Sequence, residues 1–275
     1  MSHPALQEYL DRLASGASPS SSLSIGEDGE VEGRIFNSRL GSEFYPVREL
    51  GTGGIAGYAG RVRAIAEEDQ GLPLWKFLDG AASDSESVEL DRLCRMLHAI
   101  NFFRRADAGK HTLYLNVHDR LLSAVSSNHG MAFRRILDGL DLPVNQVVLQ
   151  LPAVNARQTW MLNYVADNYR RNGFRIAVKV GSVAQLSSVL GHASVDAVRI
   201  STLHDATTAD LTQAFAQAAA LNVDIIVKQA AVDSTAADLL HATERTGARI
   251  LLQASAHRAP RPAALHAEAA QRAAA

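Results

Sequence analysis

The chain has 275 residues, 47% of them hydrophobic and 20% charged, the balance of a globular protein of one large domain or two small ones. Lys and Arg number 27 against 29 Asp and Glu, a formal charge of −2 that carries no global basic footprint for nucleic acid. One cysteine, Cys94, excludes a disulfide framework and a multi-cysteine zinc site.

The chain opens on MSHPALQEYLDRL, an amphipathic start without the charged-then-apolar layout of a signal peptide. With no apolar run of about 18 residues, a cytoplasmic protein without a membrane partner is predicted. Residues 15–33 are rich in Ser, Gly and acidic side chains and read as a linker after a short helix, so that residues 1–39 form an N-terminal appendage. Strands are predicted near Ser42–Leu50 and Ala56–Ala64, then at Leu113–Val117, Val147–Leu151, Phe174–Val180, Ala197–Ser201, Asp224–Gln229 and Arg249–Ala254. The last six are almost continuously apolar, as parallel strands buried on both faces must be. Helical spacing fills the gaps, as in Thr159–Arg171 and Ala209–Leu221. Strand and helix alternate throughout, and the length favours a TIM-like (β/α)8 barrel over an open doubly wound sheet. The barrel is predicted over 40–258, with 259–275 a flexible Ala-rich tail.

In a barrel, functional groups project from the C-terminal strand ends into one mouth. Those ends carry Asn116, Gln150, Lys179, Arg199 with Ser201, Lys228 and Gln253. Each alone reads as an ordinary polar strand terminus; their repetition predicts a polar pocket. It offers amides and cations but neither a carboxylate pair nor a histidine cluster for acid–base work. Its lysines would repel a divalent metal ion and can instead hold an anion such as phosphate.

The motifs around these strand ends resemble those of the EAL domain, the cyclic di-GMP phosphodiesterase family. FYPVRELGTGGIAGYAGRVR is similar to the family's opening segment, LYLNV to its strand ending in Asn, and VVLQLPA to its Glu-Leu-Thr-Glu strand. NGFRIAVKVGSVAQLSSVL, SVDAVRIS, NVDIIVKQAAVD and RILLQA follow in the family's order. The resemblance implies a modified TIM barrel of the EAL type. It also implies that the metal and base positions are altered. The signature tripeptide reads Ala59-Gly60-Arg61, with Ala59 where the family has a metal-binding glutamate. Gln150 replaces the next glutamate, Lys179 and Val180 the paired aspartates, Arg199 the general-base lysine, and Lys228 a further glutamate; Asn116 is retained. The last family glutamate falls within Ala231–Asp233.

Two-metal hydrolysis needs several anionic ligands, so the resemblance implies an inactive member with no metal cofactor; magnesium or manganese would enter only if that reading failed. The expected function is regulation through a protein partner in cyclic di-GMP signalling, such as motility or biofilm control. The alternative is a metal-independent receptor for cyclic di-GMP or another phosphate ligand, held by Tyr45, Arg63, Asn116, Gln150, Lys179, Arg199, Lys228 and Gln253. An active phosphodiesterase is the third reading.

Other motifs are set aside on physical grounds. Gly51–Ala56 imitates a dinucleotide fingerprint without a preceding buried strand and reads as a turn. His118-Asp119 and His204-Asp205 point to opposite faces and cannot readily share a metal. His98 and Cys94 read as helix core residues, and Trp160 with Tyr164 as helix packing. Arg134-Arg135 and Arg170-Arg171 read as solvated faces.

Overall fold

The computed structural model describes residues 3–15, 22–35, 38–65, 83–118, 129–153, 159–203, 206–228 and 236–254. The Ala-rich tail, Ala231–Asp233, Asp119 and His204-Asp205 lie outside them. After helix α1 (Pro4–Ala14) come strands β1 (Leu23–Ile25), β2 (Val31–Ile35), β3 (Ser38–Glu49) and β4 (Ile55–Ile65). From there strands and helices alternate: α2 (Asp84–Phe103), β5 (Thr112–Asn116), α3 (His129–Gly139), β6 (Val147–Leu151), α4 (Thr159–Arg171), β7 (Arg175–Val180) and α5 (Val183–His192). The series ends with β8 (Ala197–Ile200), α6 (Thr208–Ala220), β9 (Asp224–Lys228), α7 (Ala236–Thr246) and β10 (Ile250–Gln253).

Strands β4 to β10 pair in sequence and in parallel. β3 closes the ring by pairing antiparallel with both β10 and β4, which makes an eight-stranded mixed barrel of the EAL type. The six apolar segments are these parallel strands, and their outward residues form one core with the surrounding helices. Inside the ring a second core fills the bore, built from Val47, Tyr114, Val148, Ile226 and Leu251 with the small Ala59, Ala177 and Ala197.

The linker reading of residues 15–33 is corrected. Leu23–Ile25 and Val31–Ile35 are strands of an antiparallel hairpin that pairs on to β3, with Leu23 and Val31 buried. The turn between them uses Gly29 at φ 77°, and Asp28 accepts the Glu30 N–H. Those Gly and acidic residues are turn chemistry, and the few apolar residues flanking them are enough to pair an edge. The packing expected of Trp160 and Tyr164 is also overturned: on α4 they stand 63% and 53% exposed. Gly51–Ala56 does form the turn between two strands, with Gly53 at φ 69°.

Candidate functional site at the barrel mouth

Side chains alternate across a strand, so every second residue enters the bore. One step above the apolar floor, the parallel strands present Asn116, Gln150, Lys179, Arg199, Lys228 and Gln253. Cross-strand register pairs Asn116 with Gln150, Lys179 with Arg199, and Gln253 with Lys228. β3 runs the other way and brings Tyr45 to the same rim, opposite Ala59 of β4. Seven of the eight residues predicted as ligand contacts therefore gather at one opening. Arg63 lies apart: it is exposed, two residues beyond Arg61 on β4 and paired in register with Gly41.

The electrostatics of the rim are one-sided. Arg199 is 6% exposed and its Nε has no partner within the protein. Burial, reinforced by the positive charge of Arg61, lowers its pKa to about 10. Burial also lowers the Lys228 ammonium pKa, with Arg199 and then Arg61 adding to the effect. Arg61 sits 5.1 Å from the centre of the Tyr45 ring. The Tyr45 hydroxyl donates to Glu43 Oε2 at 2.6 Å, and burial together with that bond pushes the phenol pKa up to about 12. Gln150 and Gln253 are 1% and 2% exposed, and the Oε1 of each is unpartnered within the protein. A buried amide oxygen without a donor costs about 1–3 kcal/mol, so these groups are set for something that enters the mouth.

Two of these contributors were not in the sequence-based ligand set. Arg61 was read only as a lost signature position, and Glu43 was not singled out. The signal was strand parity: once Ala59 faces inward, Arg61 does too, and Glu43 is its cross-strand partner. Gly60 faces outward, where a Cβ would come within 3.1 Å of the His98 ring. His98 itself is buried on α2 with Nδ1 2.8 Å from Ser42 Oγ. Cys94 is a buried core residue whose thiol pKa is raised by burial and by Asp91.

The metal pair implied by the resemblance does not fit this donor set. The positions in question hold the amides of Asn116 and Gln150, the methyl of Ala59 and the cations of Lys179, Arg199 and Lys228. Hard divalent ions take anionic or neutral oxygen ligands and are repelled by ammonium and guanidinium groups. Among the described residues no group of three or more His, Cys, Asp or Glu is placed to hold a metal ion.

No protein-family model matches the chain, and no curated protein matches it in sequence. Solved structures do. A standalone EAL protein from Vibrio cholerae, in its cyclic di-GMP-bound form, shares 14% identity and aligns at TM-score 0.59 over 80% of this chain and 91% of its own. The FimX EAL domain of Xanthomonas citri, in complex with cyclic di-GMP, shares 14% identity at TM-score 0.60, covering 91% of this chain and 94% of its own. The Bacillus subtilis YkuI protein, with an EAL domain complexed with cyclic di-GMP and calcium, shares 21% identity at TM-score 0.60 over 80% of this chain and 54% of its own. With the closed mixed barrel, the antiparallel β3 and these alignments in hand, the chain is seen to have the fold of an EAL domain.

Proposed function

We infer that this barrel is a non-hydrolytic receptor in cyclic di-GMP signalling, one that holds a phosphate ligand at its mouth without metal. The observation that carries the reading is the convergence of Arg61, Arg199 and Lys228 on one opening, with buried Arg199 Nε and two buried glutamine oxygens left for a ligand. Cations fixed in a half-buried site neutralise phosphate directly, the task that metal ions perform elsewhere. The same cations leave no means of binding a metal-activated water, so the ligand is retained intact.

Calorimetry with cyclic di-GMP tests this. Binding should be the same with and without magnesium, and Lys228→Glu and Lys179→Glu should each weaken it by about tenfold or more. Appearance of a linear product on adding magnesium or manganese would overturn the reading, as would an absolute metal requirement for binding.

A second reading, regulation through a protein partner, is favoured by the exposed Trp160 and Tyr164 one turn apart on α4. A Trp160→Ala, Tyr164→Ala variant should keep the melting temperature of the parent while releasing a partner that the parent retains. Loss of the partner only through unfolding would count against it.

A further inference from the structure

Resting on the reading of the mouth as an anion site, we propose that it is built for a terminal phosphate. Its fitting ligand is a linear dinucleotide whose phosphomonoester meets Arg61, Arg199 and Lys228, with Arg63 further out on β4 facing the internal phosphodiester. The argument is one of charge and place. A phosphodiester carries a single negative charge, and a cyclic dinucleotide holds its two diesters apart on a ring. A phosphomonoester concentrates about two charges on three oxygens at neutral pH. The mouth offers three cations at one point, and among the described residues the charges that act on Arg199 and Lys228 are positive.

Every other charged or titratable group on the bore-facing strand ends is accounted for. Glu43 accepts the Tyr45 hydroxyl, Tyr45 lies under Arg61, and Lys179 stands beside Arg199 in register. β5, β6 and β10 contribute only the amides of Asn116, Gln150 and Gln253 at this level. The orphaned Oε1 atoms of Gln150 and Gln253 ask for donors, which the terminal hydroxyls and base amines of an opened nucleotide supply. Beyond the rim, β4 continues to Ile65 and places Arg63 on the face of Arg61, about 7 Å further along. A ligand with one charged end and a trailing diester follows that line; a closed ring turns away from it.

The test is calorimetry on the full chain at low salt with three probes. These are cyclic di-GMP, the linear diguanylate bearing a 5′-phosphate, and the same linear diguanylate without it. At pH 7.5 the 5′-phosphorylated form should bind at least about tenfold tighter than either of the others. At pH 5.5 its advantage over the unphosphorylated form should shrink several-fold, because the second proton of a phosphomonoester is taken up near pH 6. Lys228→Met should remove most of that advantage at pH 7.5. Equal binding of the two linear probes, or tighter binding of the cyclic one, overturns the terminal-phosphate inference and leaves the anion-receptor reading standing. Absence of binding by all three, in heat and in thermal shift, overturns both.

Discussion

Gly60 and His98 show how a residue in the signature segment serves packing instead of chemistry. The imidazole lies where a Cβ on residue 60 would stand, so Gly60→Ala forces α2 outward and should cost about 1–3 kcal/mol in denaturant unfolding. Unchanged stability would show that the helix yields freely. The ring is also a titration element. Burial holds its pKa at about 4, against about 6.5 in an unfolded chain. A depressed pKa means that the fold prefers the neutral ring. That preference stabilises fully above about pH 6.5 and is lost as pH falls from there through 4, about 3 kcal/mol in all. Unfolding midpoints in urea at pH 7.5, 5.5 and 4.5 should trace this fall, and His98→Gln should flatten it. At this scale the sequence was most legible where a polar residue closes an apolar run, as at Gln150, Lys179 and Gln253. It was least legible on β4, where Arg61 is flanked by Gly60 and Val62 and no run of apolar neighbours indicates which way it points. The exposed position of Arg63 depends on how far β4 extends beyond the ring, a length that resemblance to a motif does not give.

The element with most at stake is α2. Ser83 and Glu86 cap its start reciprocally, and its inner face carries a charge pair far from water: Arg95 Nη2 lies 2.6 Å from Asp91 Oδ2, both side chains nearly fully buried. The Arg95 guanidinium sits 5.1 Å from the Phe133 ring centre and donates to the Tyr169 hydroxyl, which ties α2 to α3 and α4. Asp91 Oδ1 accepts the His118 N–H, which pins the chain just beyond Asn116. Asp91→Ala leaves a buried guanidinium uncompensated and should cost about 3–5 kcal/mol, whereas Asp91→Leu combined with Arg95→Met should cost less than the single change. A double variant less stable than Asp91→Ala would refute this account. The helix periodicity of residues 84–103 was readable, but the pair was not: its partners come from three helices and a strand end. The hairpin of β1 and β2 was hidden differently, since its strands are short and its turn residues dominate the composition of the segment. Trp160 and Tyr164 have the spacing of a packed pair, and spacing alone does not say which side of a helix faces the core.

Taken whole, the molecule is nearly neutral, yet its charges are sorted. The mouth gathers Arg61, Lys179, Arg199 and Lys228 against Glu43, while the far end of the barrel joins Asp224 and Glu49 to Arg249. A chain of net charge −2 thus presents a positive opening, invisible to a charge count because strand order alone brings those residues together. Phosphate ligands should accordingly bind about three- to tenfold more weakly at 300 mM than at 50 mM sodium chloride, as read by calorimetry. Salt-independent affinity would mean that contacts other than charge dominate. The barrel's only reversed strand has its own consequence. β3 descends from the mouth and β4 climbs back, so the exposed Gly51–Gly54 turn lies at the end remote from the ligand, about 20 Å along β3 from Tyr45. That turn is also the seam at which the ring is completed. New termini opened there by circular permutation, or a fluorophore attached at Thr52, would report on whether the cylinder stays shut while leaving the opposite opening untouched.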